Sequence, residues 1–255
     1  MNRKVTIIGA GNVGSTIAYT LAVSDAVNEI LLIDLNSDKA LGEAMDIDQG
    51  TVFCEPVTVR SGDYSDAAGS DIVIITSGVA RRPGQSRLDL AQTNVDILKD
   101  ITPKITEYAP DAVYIIVSNP VDVLTYVFCK ISGIPESRVI GSGTILDTAR
   151  LRSYIASHFS VNKTNVHSYV FGEHGDSMFI PWSVARLSSI DLVRYNNTYL
   201  RNKETEPLDF DAAFEFIRTS GAQVIEHKGS TFYAVAISAA HICKCIFSGT
   251  DTVLT

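Results

Sequence analysis

A glycine-rich turn wedged between a strand and a helix constrains this chain most. Val5-Thr6-Ile7-Ile8 is a β-branched run that ends in Gly9-Ala10-Gly11-Asn12-Val13-Gly14, and Asn12–Val23 continues with apolar residues at helical spacing. This is G-x-G-x-x-G in the setting the motif requires, after a strand and opening a helix. The first glycine permits the tight turn, the second admits a pyrophosphate close to the backbone, and the third lets helix and strand pack closely. The helix N-terminus adds unpaired N–H groups and a positive dipole end. A second strand, Glu29–Asp34, ends in an acid 20 residues after Gly14. A carboxylate there accepts hydrogen bonds from a ribose 2′-hydroxyl and repels a 2′-phosphate, which favours NAD over NADP. Three glycines alone make only a tight turn; strand, turn, helix, strand and acid in register specify a dinucleotide site.

The same alternation runs on. Ser37–Phe53 reads as a helix capped by Asn36 or Ser37, Val57–Ser61 and Asp71–Ser77 as strands, Gly78–Arg87 as a polar loop, then a long helix to Tyr108 and the strand Ala112–Ser118. Continuous apolar strands separated by helices mark a parallel sheet covered on both faces. The expected fold is therefore α/β, a doubly wound parallel sheet of Rossmann type. Past residue 142 the pattern becomes mixed: a helix over Leu146–Phe159, short strands over 161–186, a polar loop over Asn196–Leu208, and helices near 210–225 and Phe232–Phe247. Residues 1–142 are expected to form the dinucleotide-binding domain and residues 143–255 a mixed α+β substrate domain.

Charge and composition narrow the function classes. With 21 basic and 29 acidic residues the net charge is −8, which argues against a nucleic-acid partner, since that needs a basic face. No stretch reaches the roughly 18 apolar residues of a membrane span. Cys54, Cys129, Cys243 and Cys245 match no zinc spacing, Cys243 and Cys245 read as core thiols, and no metal is expected. Together these features favour a reducing cytoplasm.

Six stretches carry a resemblance to the L-lactate/malate dehydrogenase family over the whole chain: Gly9–Gly14, Arg81–Leu90, Val117–Tyr126, Gly141–Arg152, Val166–Ser177 and Lys228–Ala234. Gly172-Glu173-His174-Gly175-Asp176-Ser177 is among the most specific, and the bacterial L-lactate dehydrogenases are the nearest type. The resemblance implies interconversion of pyruvate and L-lactate with NAD. It casts His174 as proton donor, a role suited to imidazole near neutrality, and Asp147 as the partner that orients the ring. Arg150, on the same helix side at i+3, becomes the two-pronged clamp for the substrate carboxylate. Arg87 becomes the residue that polarises the carbonyl when the 78–87 loop closes and excludes water. Substrate contacts fall to Arg81, Asn119 and Thr231. Cofactor contacts fall to Gly9, Gly11, Val13, Gly14, Asp34, Lys39, Tyr64, Gly78, Val79, Ser118, Asn119 and Ser142. Taken singly, Asp147 and Arg150 make an ordinary helix ion pair, and Arg81, Arg82 and Arg87 a solvated basic loop.

Arg81 departs from the lactate type, which commonly carries glutamine there. Arginine would pair with the second carboxylate of oxaloacetate, a charged contact worth roughly 1.5–3 kcal/mol, so malate dehydrogenase stays open as the alternative. Thr231, Ser118, Glu173 and Ser142-Gly143-Thr144 are lactate-like. A non-enzymatic dinucleotide-binding protein would keep Gly9–Gly14 and Asp34 without needing His174, Asp147, Arg150 and Arg87. Arg152 and His167 match positions where bacterial relatives bind fructose 1,6-bisphosphate across a two-fold interface, which implies an allosteric homotetramer or a homodimer. Against the family the chain is several dozen residues short at its C-terminus. Asp251–Thr255 is then expected to open a strand, with an exposed edge and an uncovered apolar face beside it.

Overall fold

The computed structural model describes residues 3–79, 87–198 and 206–255. The chain divides into two compact units, residues 1–142 with 232–252, and residues 143–231 with 253–255.

The first unit is a six-stranded parallel sheet in the order β3-β2-β1-β4-β5-β6. Its strands are β1 (Lys4–Ile8), β2 (Glu29–Ile33), β3 (Thr58–Ser61), β4 (Ile72–Ile75), β5 (Val113–Ile116) and β6 (Val139–Gly141). Its helices are α1 (Asn12–Ala22), α2 (Ser37–Gly50), α3 (Arg87–Tyr108), α4 (Val121–Ile131) and, from late in the sequence, α8 (Tyr233–Ser248). This is the doubly wound order, with its switch point between β1 and β4, where such sheets bind ligands. Every residue of β1 and β4 is buried. Each buried Ile or Val there contributes about 1.5–3 kcal/mol relative to exposure, which is why these strands read as unbroken apolar runs. Asn36 is the helix cap for α2, accepting from the Lys39 N–H at 3.1 Å. α4 and β6 had no strong punctuation in the sequence and emerge only in the structure.

Although it follows the second unit in the chain, α8 packs against α1 within the first unit. Ala236, Ala239, Ala240, Ile242 and Cys243 of α8 are buried, and an apolar helix face goes where a complementary face exists, whatever its place in the chain. Cys243 is a core thiol as expected, but Cys245 is only partly buried, with its sulfur 3.7 Å from His241 Nε2 one turn away.

The second unit contains α5 (Ile145–His158), α6 (Leu192–Thr198), α7 (Phe210–Lys228) and a three-stranded antiparallel sheet of β7 (Val166–His167), β8 (Arg186–Leu187) and β9 (Ile190–Asp191). Leu151, Ile155, Val166, Val170, Ala185, Leu187, Leu192 and Ile217 form its core. Asp251–Thr255, expected to open a strand, forms none, since a strand exists only where a neighbour supplies the ladder.

Candidate active site

Most of the candidate residues fall into two groups, one in each unit. In the first unit the glycine turn follows β1. Gly9 has φ +106°, and a Cβ there would lie 2.7 Å from Thr76 Oγ1. A Cβ on Gly14 would lie 1.8 Å from the Gly9 carbonyl oxygen, so both positions exclude other residues. Gly11 differs: nothing lies within 4 Å of a Cβ placed on it. Its bareness leaves open space in front of the backbone at the N-terminus of α1. Val13 is half-buried in the first turn of that helix.

Asp34, just past β2, accepts from the Ala10 N–H at 2.6 Å and the Asn36 N–H at 2.9 Å. It therefore ties the end of β2 to the glycine turn, a structural duty the motif alone did not reveal. Lys39 is exposed on α2. Tyr64 is half-buried against the sheet cluster, and burial pushes its hydroxyl pKa up.

Past β4 and β5 the loops are joined by side chains. Ser118 Oγ donates to the Ser77 carbonyl at 2.7 Å. Asn94 of α3 binds backbone groups of both Val79 and Asn119, and sequence reasoning missed it because a polar residue on a mostly polar helix gives no signal. The Asn119–Pro120 peptide is cis. Ser142 donates its N–H to the Ile116 carbonyl at 2.9 Å.

In the second unit, α5 projects Asp147 and Arg150 from one side. Arg150 Nη1 donates to Asp147 Oδ1 at 2.9 Å, and His174 Nδ1 lies 2.5 Å from Asp147 Oδ2. Both carboxylate oxygens are thus engaged by cation donors or the ring, which suits a side chain only 2 % exposed, since a buried charge needs partners. Asp147 also lies in the first helical turn, where the dipole favours an anion. The His174 ring is 31 % exposed, positioned but reachable.

His174 rides on a loop closed by reciprocal backbone bonds between Phe171 and Phe179, both 2.9 Å. Gly172 turns that loop at φ +91°. The base of the loop is fastened to α5 by two hydroxyls one turn apart. Thr144 Oγ1 donates to the Val170 carbonyl at 2.7 Å, and Thr148 Oγ1 accepts the Val170 N–H at 2.8 Å. One helix therefore holds both the imidazole and the backbone that carries it. The sequence singled out Thr144 only as a lactate-like residue and did not single out Thr148, since a hydroxyl carries no mark of its partner.

The resemblance seen in the sequence is borne out by comparison with known proteins. Residues 3–141 match the family model "lactate/malate dehydrogenase, NAD binding domain", and residues 144–255 match its "alpha/beta C-terminal domain". The chain belongs to the lactate/malate dehydrogenase family. It is 44 % identical over 254 residues to L-lactate dehydrogenase 1 of Clostridium acetobutylicum, covering 100 % of this chain and 80 % of that protein. It is 46 % identical over 252 residues to the L-lactate dehydrogenase of a Thermoanaerobacter species, covering 99 % and 80 %. A solved lactate dehydrogenase from a Medee basin deep-sea metagenome library superposes with a TM-score of 0.93 at 35 % identity, over 99 % of this chain and 80 % of that one.

The family's cofactor is NAD, and the first unit fits it. The open space at Gly11 would take the pyrophosphate, the α1 N-terminus would face its charge, and the Asp34 carboxylate, tied to the glycine turn, would read a ribose. Other expected residues are not joined to these groups. Thr231 is half-buried in the segment of chain that follows α7 and precedes α8. Arg152 is half-buried on α5 and His167 exposed on β7. Arg81 and the Arg87 side chain lie outside the described residues. Among the described residues no helix is long and apolar enough to cross a membrane.

Proposed function

We propose that the chain is an NAD-dependent L-lactate dehydrogenase, reducing pyruvate to L-lactate and running the reverse oxidation. The observation that carries this reading is the Asp147 carboxylate shared between His174 and Arg150, on a chain that resembles L-lactate dehydrogenases throughout. Bound NADH would supply the hydride that the carbonyl carbon receives. His174 delivers the proton. Its Nδ1 is held by Asp147, so transfer to the carbonyl oxygen runs through Nε2. Asp147 keeps the ring in that tautomer and stabilises the imidazolium. Arg150, with Nη1 on Asp147, turns the rest of its guanidinium to the substrate carboxylate. Arg87 polarises the carbonyl, and Asn119 and Thr231 complete the substrate contacts.

Malate dehydrogenase is the second reading, favoured by Arg81 alone. Initial rates of NADH oxidation with pyruvate and with oxaloacetate separate the two. A kcat/KM at least tenfold higher for pyruvate is expected, and a clear preference for oxaloacetate would replace lactate by malate. Inertness toward every 2-oxo acid, with NADH still bound, would favour the non-enzymatic reading.

The same proposal includes a homotetramer, or a homodimer, in which Arg152 and His167 bind fructose 1,6-bisphosphate. Light scattering tests the assembly, and a pyruvate KM unaltered by that ligand removes the regulatory part. The four free cysteines support a cytoplasmic setting.

A further inference from the structure

We infer that Asn94 is a positioning residue for the nicotinamide half of the cofactor, acting through Val79 and Asn119. The pairing of β4 with β5 ends at Ile75↔Ile116. Three residues and more beyond that point, the two loops have no ladder to hold them together, and Asn94 takes its place from below. Its Oδ1 accepts the Val79 N–H at 2.9 Å, and its Nδ2 donates to the Val79 carbonyl at 3.3 Å and to the Asn119 carbonyl at 2.7 Å. The amide is thereby satisfied on both its oxygen and its nitrogen. The side chain is 2 % exposed, whereas Val79 and Asn119 present exposed side chains above it.

Gly78 belongs to the same arrangement. A Cβ at that position would lie 3.2 Å from Asn94 Oδ1, so the amide fills the space beneath the loop that glycine leaves. None of the three bonds returns to α3 itself. They all go to backbone atoms past β4 and β5, across the β1/β4 switch point from β2; with the pyrophosphate at the glycine turn and a ribose at Asp34, that side falls to the nicotinamide half, while the glycine turn and Asp34 rest on separate bonds. Loss of the Asn94 amide therefore frees one half of the cofactor site and leaves the other half intact.

The inference rests on the cofactor roles proposed for Gly78, Val79 and Asn119, and its test separates the two. Binding of NADH (fluorescence) and of ADP-ribose (calorimetry) is measured for the full chain and for Asn94→Leu and Asn94→Ala; alanine leaves room for water should leucine prevent folding. NADH affinity should fall at least tenfold while ADP-ribose, which lacks the nicotinamide, stays within about twofold. Equal weakening of both ligands would assign Asn94 a merely structural role, and unchanged NADH affinity in a folded variant would likewise overturn the inference. If the unsubstituted chain binds ADP-ribose and NADH equally well, the nicotinamide contacts at residues 78, 79 and 119 are themselves wrong, and the inference falls with them.

Discussion

Replacing Asp147 by asparagine removes one charge and almost no volume, so its effect can be worked from the geometry. The carboxylate is 2 % exposed and binds the His174 ring at 2.5 Å and the Arg150 guanidinium at 2.9 Å. When His174 is protonated, opposite charges about 4 Å apart attract by about 4 kcal/mol at an effective dielectric near 20. A neutral amide keeps a hydrogen bond worth about 1 kcal/mol. The difference, about 3 kcal/mol, is a loss of roughly 100- to 200-fold in kcat/KM. The true loss should exceed this, because the asparagine amide can present an N–H to Nδ1 and impose the wrong tautomer, and because Arg150 loses its anionic partner. Stopped-flow NADH oxidation with pyruvate, alongside NADH titration by fluorescence, reads both effects. NADH affinity should hold, since the glycine turn and Asp34 are untouched. A loss of less than fivefold in kcat/KM would refute the view that the shared carboxylate organises the proton transfer.

Two glycines should separate folding from binding. Gly14→Ala puts a Cβ 1.8 Å from a carbonyl oxygen and should lower the melting temperature markedly. Gly11→Ala meets nothing within 4 Å, so it should melt like the parent yet bind NADH at least tenfold more weakly; full NADH affinity would contradict the pyrophosphate assignment. Asp34→Ala should narrow the preference for NADH over NADPH, measured as the ratio of kcat/KM values, and an unaltered ratio would remove Asp34 as the ribose reader. Burial pushes the Cys243 thiol from 9.0 up to about 12. Its raised folded pKa means that the associated stability is complete below about pH 9 and is lost as pH rises toward 12, so unfolding should become easier over that window. Native-state alkylation at pH 8, read by peptide mass mapping, should modify Cys245 before Cys243, and the reverse order would show that α8 opens readily.

The legible parts of the fold were those with a local cause. Val5–Ile8 and Ile72–Ile75 are buried on both faces, so they had to be continuous apolar runs, and Gly9 and Gly14 are dictated by contacts within a few residues and with Thr76 just past β4. Asp147 and Arg150 share a helix face by spacing alone. Asn94, Thr144 and Thr148 were not legible. Each acts on backbone atoms at least 15 residues away, and a single polar residue carries no record of a distant partner. The packing of α8 against α1 was not legible for the same reason: an apolar helix announces that it is covered, not by what.

By its sequence alone this protein is a doubly wound α/β chain with an NAD fingerprint and the residue set of a 2-hydroxy acid dehydrogenase. Strand periodicity, glycine geometry and motif spacing are short-range constraints, and they are written in consecutive residues. Tertiary structure alone decided that one carboxylate serves both His174 and Arg150, that Val170 is pinned to α5 beneath the histidine loop, and that an asparagine takes over where the β4–β5 ladder ends. Those are meetings of groups far apart in the chain, set by which surfaces pack, and packing is a property of the folded whole.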